Sequence, residues 1–162
     1  MNDAALRKHV RSLLRGGGAH VSFEKAIADL PAPLCGEKPP GSAHTVWQVV
    51  EHMRIAQWDI LEFSRDPKHI SPEFPAAYWP PTEAPPDAAA WERSLALFRA
   101  DLAAMEKLVA DPKRDLFARV EHREAKEEHT LLREALLVAD HNAYHLGELV
   151  LIRRLLDAWK SE

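Results

Sequence analysis

Residues 130–159 read TLLREALLVADHNAYHLGELVLIRRLLDAW. Leu132, Ala135, Val138, Leu149, Ile152, Leu156 and Trp159 recur along this run at helical spacing, so it predicts one long amphipathic helix with an apolar inner side. Such a stripe has to be buried against other elements. The rest of the chain offers helices of the same kind. Thr45 and Gln48 stand at capping-box spacing, so a second helix is expected to start between Ser42 and Thr45 and to end before Pro67. Asp87 is an N-cap candidate for a third, in which Trp91, Leu95, Phe98, Leu102, Met105 and Val109 recur until Pro112 closes it. The first helical region is expected over residues 3–30, broken at Gly16-Gly17-Gly18, resuming from Ala19 and stopped by Pro31 and Pro33.

Strand signals are nearly absent, and residues 113–127 are charged and irregular, with room for a short strand or an extended arm. Residues 67–86 hold Pro67, Pro72, Pro75, Pro80, Pro81, Pro85 and Pro86, an ordered connector rather than a helix. The expected fold is all-α: a four-helix bundle with a long Pro-rich connector between the second and third helices, in a single domain over residues 1–162.

Composition removes several function classes. The chain has 162 residues, 46% hydrophobic and 28% charged, with a formal net charge of −4. That is an ordinary globular mix with no electrostatic case for nucleic acid. No apolar run is long enough to span a membrane. One cysteine, Cys35, cannot form an internal disulfide and reads as a structural thiol. It fits a reducing, cytoplasmic setting, and the N-terminus lacks the apolar core of a signal peptide.

Nine histidines are the unusual count. His141 and His145 lie four apart, ~6 Å along the axis on one helical face. That spacing lets two imidazoles meet one metal ion. Nine histidines make one chance pair at this spacing unsurprising, but these two sit in mid-helix among apolar residues, where solvated rings are not expected. A metal site and a hydrogen-bonded polar network remain equal readings of the pair. His52 shares a face with Val49 and Ile55, so it too points inward. Two rings from one helix and one from another give the ligand count of a site with open positions.

The other histidines differ. His44 precedes His52 by eight residues, ~12 Å along a helix, too far to share its metal, and reads as a helix-start residue. His20 follows the glycine break and reads as a surface residue, with a place lining the pocket as the alternative. His9, His69, His122 and His129 read as solvated. Asn142 stands where zinc peptidases carry the catalytic Glu, so that chemistry is rejected. Di-iron bundles pair Glu-x-x-His motifs on two helices, and the second helix offers none in register with His52, so a ferritin-like oxidase is disfavoured. The glycine triplet lacks the Lys-Ser/Thr of a phosphate loop, and no Gly-x-Ser-x-Gly elbow is present. No catalytic acid or base is identifiable from the sequence. Glu148 and Tyr144 are the weak candidates it offers; Glu148, three residues beyond His145, has the position to orient that ring or to contact a metal-bound water, but an ion pair with an arginine or a solvated face is the preferred reading.

These residues resemble the DinB family of small metal-binding four-helix bundles. The likeness rests on His52 after Thr45-Val-Trp47-Gln-Val-Val-Glu51, and on Ala139-Asp140-His141-Asn142-Ala143-Tyr144-His145-Leu146-Gly147-Glu148. The stretch Arg54-Ile-Ala-Gln57-Trp58-Asp59-Ile60-Leu61 and Tyr78-Trp79-Pro80 look like one branch of it. The resemblance implies a site of His52, His141 and His145 holding zinc, nickel, iron or manganese. It also implies homodimers, and transfer or isomerisation chemistry that uses low-molecular-weight thiols. Many relatives carry Gln at the position of Glu148.

Three functions follow as expectations. One is a metal-dependent transferase or hydrolase that activates water or a small thiol for a small-molecule substrate. Another is a non-enzymatic metal-binding or sensing bundle. The third is a metal-free dimeric scaffold. A homodimer is expected on the outer faces. Trp47 and Trp58 share a stripe ~140° from His52, which either the connector or a second subunit must cover.

Overall fold

The computed structural model describes residues 3–160, and they are all-helical. Five α-helices follow in order: α1 (Ala4–Arg15), α2 (Phe23–Ile27), α3 (Val46–Arg65), α4 (Ala88–Ala110) and α5 (Leu131–Leu155). Short 3-10 turns occupy Ala32–Gly36 and Ala76–Tyr78. Residues 113–127 form turns, and an isolated antiparallel bridge between Arg119 and Thr130 takes the place of the strand allowed there.

The starts of the three long helices are where their caps put them. Thr45 and Gln48 form a reciprocal capping box, Asp87 accepts from the Ala90 N–H at 2.6 Å, and Thr130 accepts from the Arg133 N–H at 3.2 Å. Each cap satisfies N–H groups that the first helical turn cannot. Two boundaries differ from expectation. The chain resumes helix at Phe23 rather than Ala19, because Gly16 and Gly17 adopt positive φ and Ser22 caps the new start by accepting from the Lys25 N–H. Helix α5 ends at Leu155 rather than near Trp159. Asp157 takes φ +52, and the Arg153 guanidinium turns back to donate to the Ala158 and Ala26 carbonyls.

Helix α1 packs on α4 and α5, and α3 packs on the same two. Burial divides into two apolar clusters. One gathers Val10, Leu14, Leu61, Met105, Val109, Ala135 and Val138. The other gathers Phe23, Val46, Val49, Val50, Met53, Phe98, Leu146 and Leu149. Polar bonds lie in the same interior. The Gln57 amide donates to the Phe98 carbonyl at 2.7 Å, and the Asn142 amide donates to Gln57 Oε1 at 2.9 Å. Asn142 is therefore a buried link from α5 to α3. The buried Arg7 donates to the carbonyls of Val109, Asp111 and Arg114, closing the C-terminal end of α4.

Candidate metal centre

Helix α5 carries His141 and His145, and α3, packed beside it, carries His52. The three rings come together. Their ligand nitrogens all lie within 4.8 Å of one another. Ring centroids are 4.5 to 4.9 Å apart. His52 and His145 are buried and His141 is half-buried.

Hydrogen bonding fixes which nitrogens face inward. His52 Nδ1 lies 2.9 Å from the Tyr78 carbonyl oxygen. A carbonyl only accepts, so Nδ1 holds the proton and Nε2 keeps its lone pair. His145 Nδ1 donates in the same way to Glu148 Oε2 at 2.8 Å. His52 Nε2 then faces His141 Nε2 at 3.1 Å. Two nitrogens each ~2.1 Å from one ion at angles of ~95–109° stand about 3.1–3.4 Å apart. The donor set therefore fits a divalent cation: three imidazole nitrogens, two of them oriented by outer partners, as in sites where a carboxylate or carbonyl holds a ligating histidine.

Electrostatics keep His141 and His52 in the ligand form. Burial, reinforced by His145 and His52, pushes the His141 pKa down to about 4. Burial also lowers that of His52 and outweighs the opposing effect of the Tyr78 carbonyl. The His145 hydrogen bond holds the Glu148 carboxyl below the usual carboxylate range, and a bond from His44 adds to it.

Glu148 is thus neither an arginine partner nor a solvated residue. Its other oxygen accepts from His44 Nδ1 at 3.0 Å. His44 lies just before the α3 cap and outside the cluster of three, but it stacks on Trp79 at 3.9 Å. Trp79 also stacks on His52 at 3.9 Å, almost parallel. The connector therefore supplies the Tyr78 carbonyl and the Trp79 ring to the site, a role no spacing in the sequence signals. Tyr144 is 74% exposed, with its ring edge against His145.

Two of the histidines expected to be solvated are buried. His69 Nε2 meets Asp59 Oδ1 at 2.8 Å, and Asp59 Oδ2 accepts from the Tyr78 hydroxyl at 2.6 Å. His122 Nε2 donates to the His69 carbonyl at 2.8 Å. The connector folds back over α3 and brings these groups inside. His129 is half-buried against Phe63, His20 is half-buried beside Gly16, and His9 is exposed. Cys35 is buried, and burial pushes its thiol pKa up. The tryptophan stripe is also covered by the connector: Trp47 donates to Thr82 Oγ1 at 3.2 Å, and Trp58 packs edge-on against His69. Among the described residues no helix is long and apolar enough to cross a membrane.

No curated protein and no solved structure matches the chain. A family model, the DinB superfamily, matches residues 19–149. That span runs from before α2 almost to the end of α5, with all three clustered histidines inside it, and the chain belongs to the DinB superfamily.

Proposed function

We propose that the chain is a metal-dependent enzyme of the DinB type. His52, His141 and His145 would hold one divalent ion, and the reaction is transfer to or hydrolysis of a small molecule by an activated low-molecular-weight thiol or water. We take α1, α3, α4 and α5 as the four helices of a bundle, the Pro-rich connector as the cover of its site, and the cytoplasm as its setting. The observation that carries the reading is the division of labour within the rings: Nδ1 of His52 and of His145 is bound outward, Nε2 of His52 faces Nε2 of His141, and the ligand nitrogens of all three lie within 4.8 Å of one another.

An ion on three neutral nitrogens supplies Lewis acidity, lowering the pKa of a thiol or water at its open positions. The chain supplies the rest. The Tyr78 carbonyl and Glu148 fix the tautomers of His52 and His145. Trp79 keeps water from the face of His52. Both Glu148 oxygens are engaged by histidine N–H groups, so this carboxylate acts as an orienting group rather than a free base. Imidazole donors suit zinc, nickel or iron better than magnesium or calcium.

The test is elemental analysis of protein purified without a polyhistidine tag or added metal. Near-stoichiometric zinc, nickel, iron or manganese is expected, and it disappears in His145→Ala. A chain that binds none of these ions when titrated overturns the reading and leaves the histidines as a polar network. A screen with small thiols then separates an enzyme from a metal-binding or sensing protein.

A further inference from the structure

Arg153 carries a charge into the interior without a counter-charge beside it. It is 4% exposed, and among the described residues no carboxylate comes within ion-pair distance of its guanidinium. Buried charges are ordinarily paired. Here Nε and Nη2 donate to the Ala158 carbonyl at 3.2 and 2.8 Å, and Nη1 donates to the Ala26 carbonyl at 2.6 Å. The Trp159 ring lies over the guanidinium, 5.3 Å from its central carbon. These bonds use three of the five N–H groups and leave one on each terminal nitrogen. The two terminal nitrogens are the pair that grips an oxyanion end-on. Arg153 lines a cavity of about 210 Å³ together with Lys25, Asp29, Trp159 and Lys160.

The carbonyl bonds explain Arg153 as a tie between the end of α2 and the turn after α5. They do not explain a second cation on the same cavity. Lys160 is exposed and forms no ion pair among the described residues. Like charges around one cavity repel, and this lining sets three cations against the single acid Asp29, in a chain whose formal net charge is −4. We propose that the cavity binds a small oxyanion, a phosphate or a carboxylate, held by the remaining N–H groups of Arg153 and by the Lys160 ammonium. The volume lies below the ~300–1,000 Å³ of sites for larger ligands, so the anion is phosphate-sized or a single-ring acid that rests on the Trp159 indole. Arg153 stands eight residues beyond His145, ~12 Å along α5. The site is therefore separate from the histidine cluster, and the inference does not depend on a metal.

Titration of the full chain with sodium phosphate and with sodium benzoate tests it, followed by the NMR signals of the Trp159 indole N–H and the amides of residues 153–160. Sodium chloride at equal ionic strength controls for screening. Saturating shifts are expected with half-saturation at ~1 mM or tighter for at least one of the two anions, and none with chloride. Tighter phosphate assigns phosphate chemistry, and tighter benzoate assigns a carboxylate. Arg153→Gln, which keeps N–H donors but loses the charge, abolishes binding. Lys160→Glu weakens it at least tenfold. Lys113→Glu makes the same charge change at the opposite end of α5, where the Leu132 N–H bonds the Leu116 carbonyl, and leaves it within twofold. If Arg153→Gln fails to fold, the two lysine variants decide. His145→Ala leaves both titrations unchanged. The proposal is overturned if neither anion saturates, if the two lysine variants weaken binding equally, or if His145→Ala removes it, which would place the anion at the histidine cluster.

Discussion

Two groups of histidines meet the same connector, and they differ in where their ring nitrogens point. His69 and His122 are each matched to a separate partner, the Asp59 carboxylate and the His69 carbonyl, and the second nitrogen of His122 accepts from the Glu124 N–H. They tie the connector to α3 and to the segment before α5. His52 and His145 are buried as well and His141 is half-buried, but His52 and His145 are bonded outward through Nδ1, and Nε2 of His52 faces Nε2 of His141. Burial alone therefore does not mark a candidate site. Unspent lone pairs converging on one point do.

The largest effect expected breaks the comparison at its centre. His145→Ala should cost more metal affinity than the ~10–100-fold typical of losing an outer partner. His122→Gln should lower stability by roughly 1–3 kcal/mol, the cost of disturbing a buried hydrogen bond, and leave metal affinity unchanged. Calorimetric titration and thermal melts on both variants check the contrast. Equal losses of affinity would show that the two groups are not functionally distinct.

Acid should act next on the cluster of three. The folded pKa of His141 lies at about 4, against 6.5 for a free ring, and that of His52 is lowered as well. Between those values the unfolded chain binds protons that the folded chain refuses, so stability falls as pH drops from about 6.5 to about 4 and levels off below. The depressed Glu148 carboxyl acts in the same direction, losing its contribution as pH falls through its folded value. The His141 shift corresponds to at most about 3 kcal/mol. Urea titrations of metal-free protein from pH 7 to pH 4 should show this slope, and His141→Gln should flatten it.

How much of this was legible beforehand follows from the range of each interaction. Thr45, Asp87 and Thr130 cap within three residues of themselves, so the long helices could be placed from the sequence. His141 and His145 share a face by spacing alone, and His52 shares one with Val49. The burial of His69 and His122, and the His44 bond to Glu148 across 104 positions, depend on how a proline-rich segment folds back, which no local period encodes. The end of α5 at Leu155 departs from the apolar spacing for a related reason. Leu156 and Trp159 continue the apolar spacing, but Arg153 finds better partners by turning the chain.

Asp59 joins the two groups, because it holds His69 on one oxygen and the Tyr78 hydroxyl on the other, and Tyr78 in turn accepts from His52. Asp59→Asn should therefore lower both quantities: stability by roughly 1–3 kcal/mol and metal affinity by about tenfold, as for an outer positioning group. A loss of stability with unchanged affinity would show that Tyr78 holds its place without Asp59.

The smallest effect is expected at the far end of the connector, where the Trp47 indole N–H meets Thr82. Thr82 is exposed, so water can replace its hydroxyl when it is removed, and Thr82→Val should cost only ~0.5–1 kcal/mol. The neighbouring bond from the Thr45 hydroxyl to the Glu83 carbonyl, 2.6 Å long, still fastens the segment there. Tyr78 and Trp79 are anchored separately through Asp59 and His52. Metal affinity and the acid slope should therefore match the wild type within error, while the melting temperature falls slightly. A change in affinity would mean that the connector moves as one rigid piece and that its two ends are coupled. The contrast between the two histidine groups would then be a property of the whole cover rather than of the bonds each group makes.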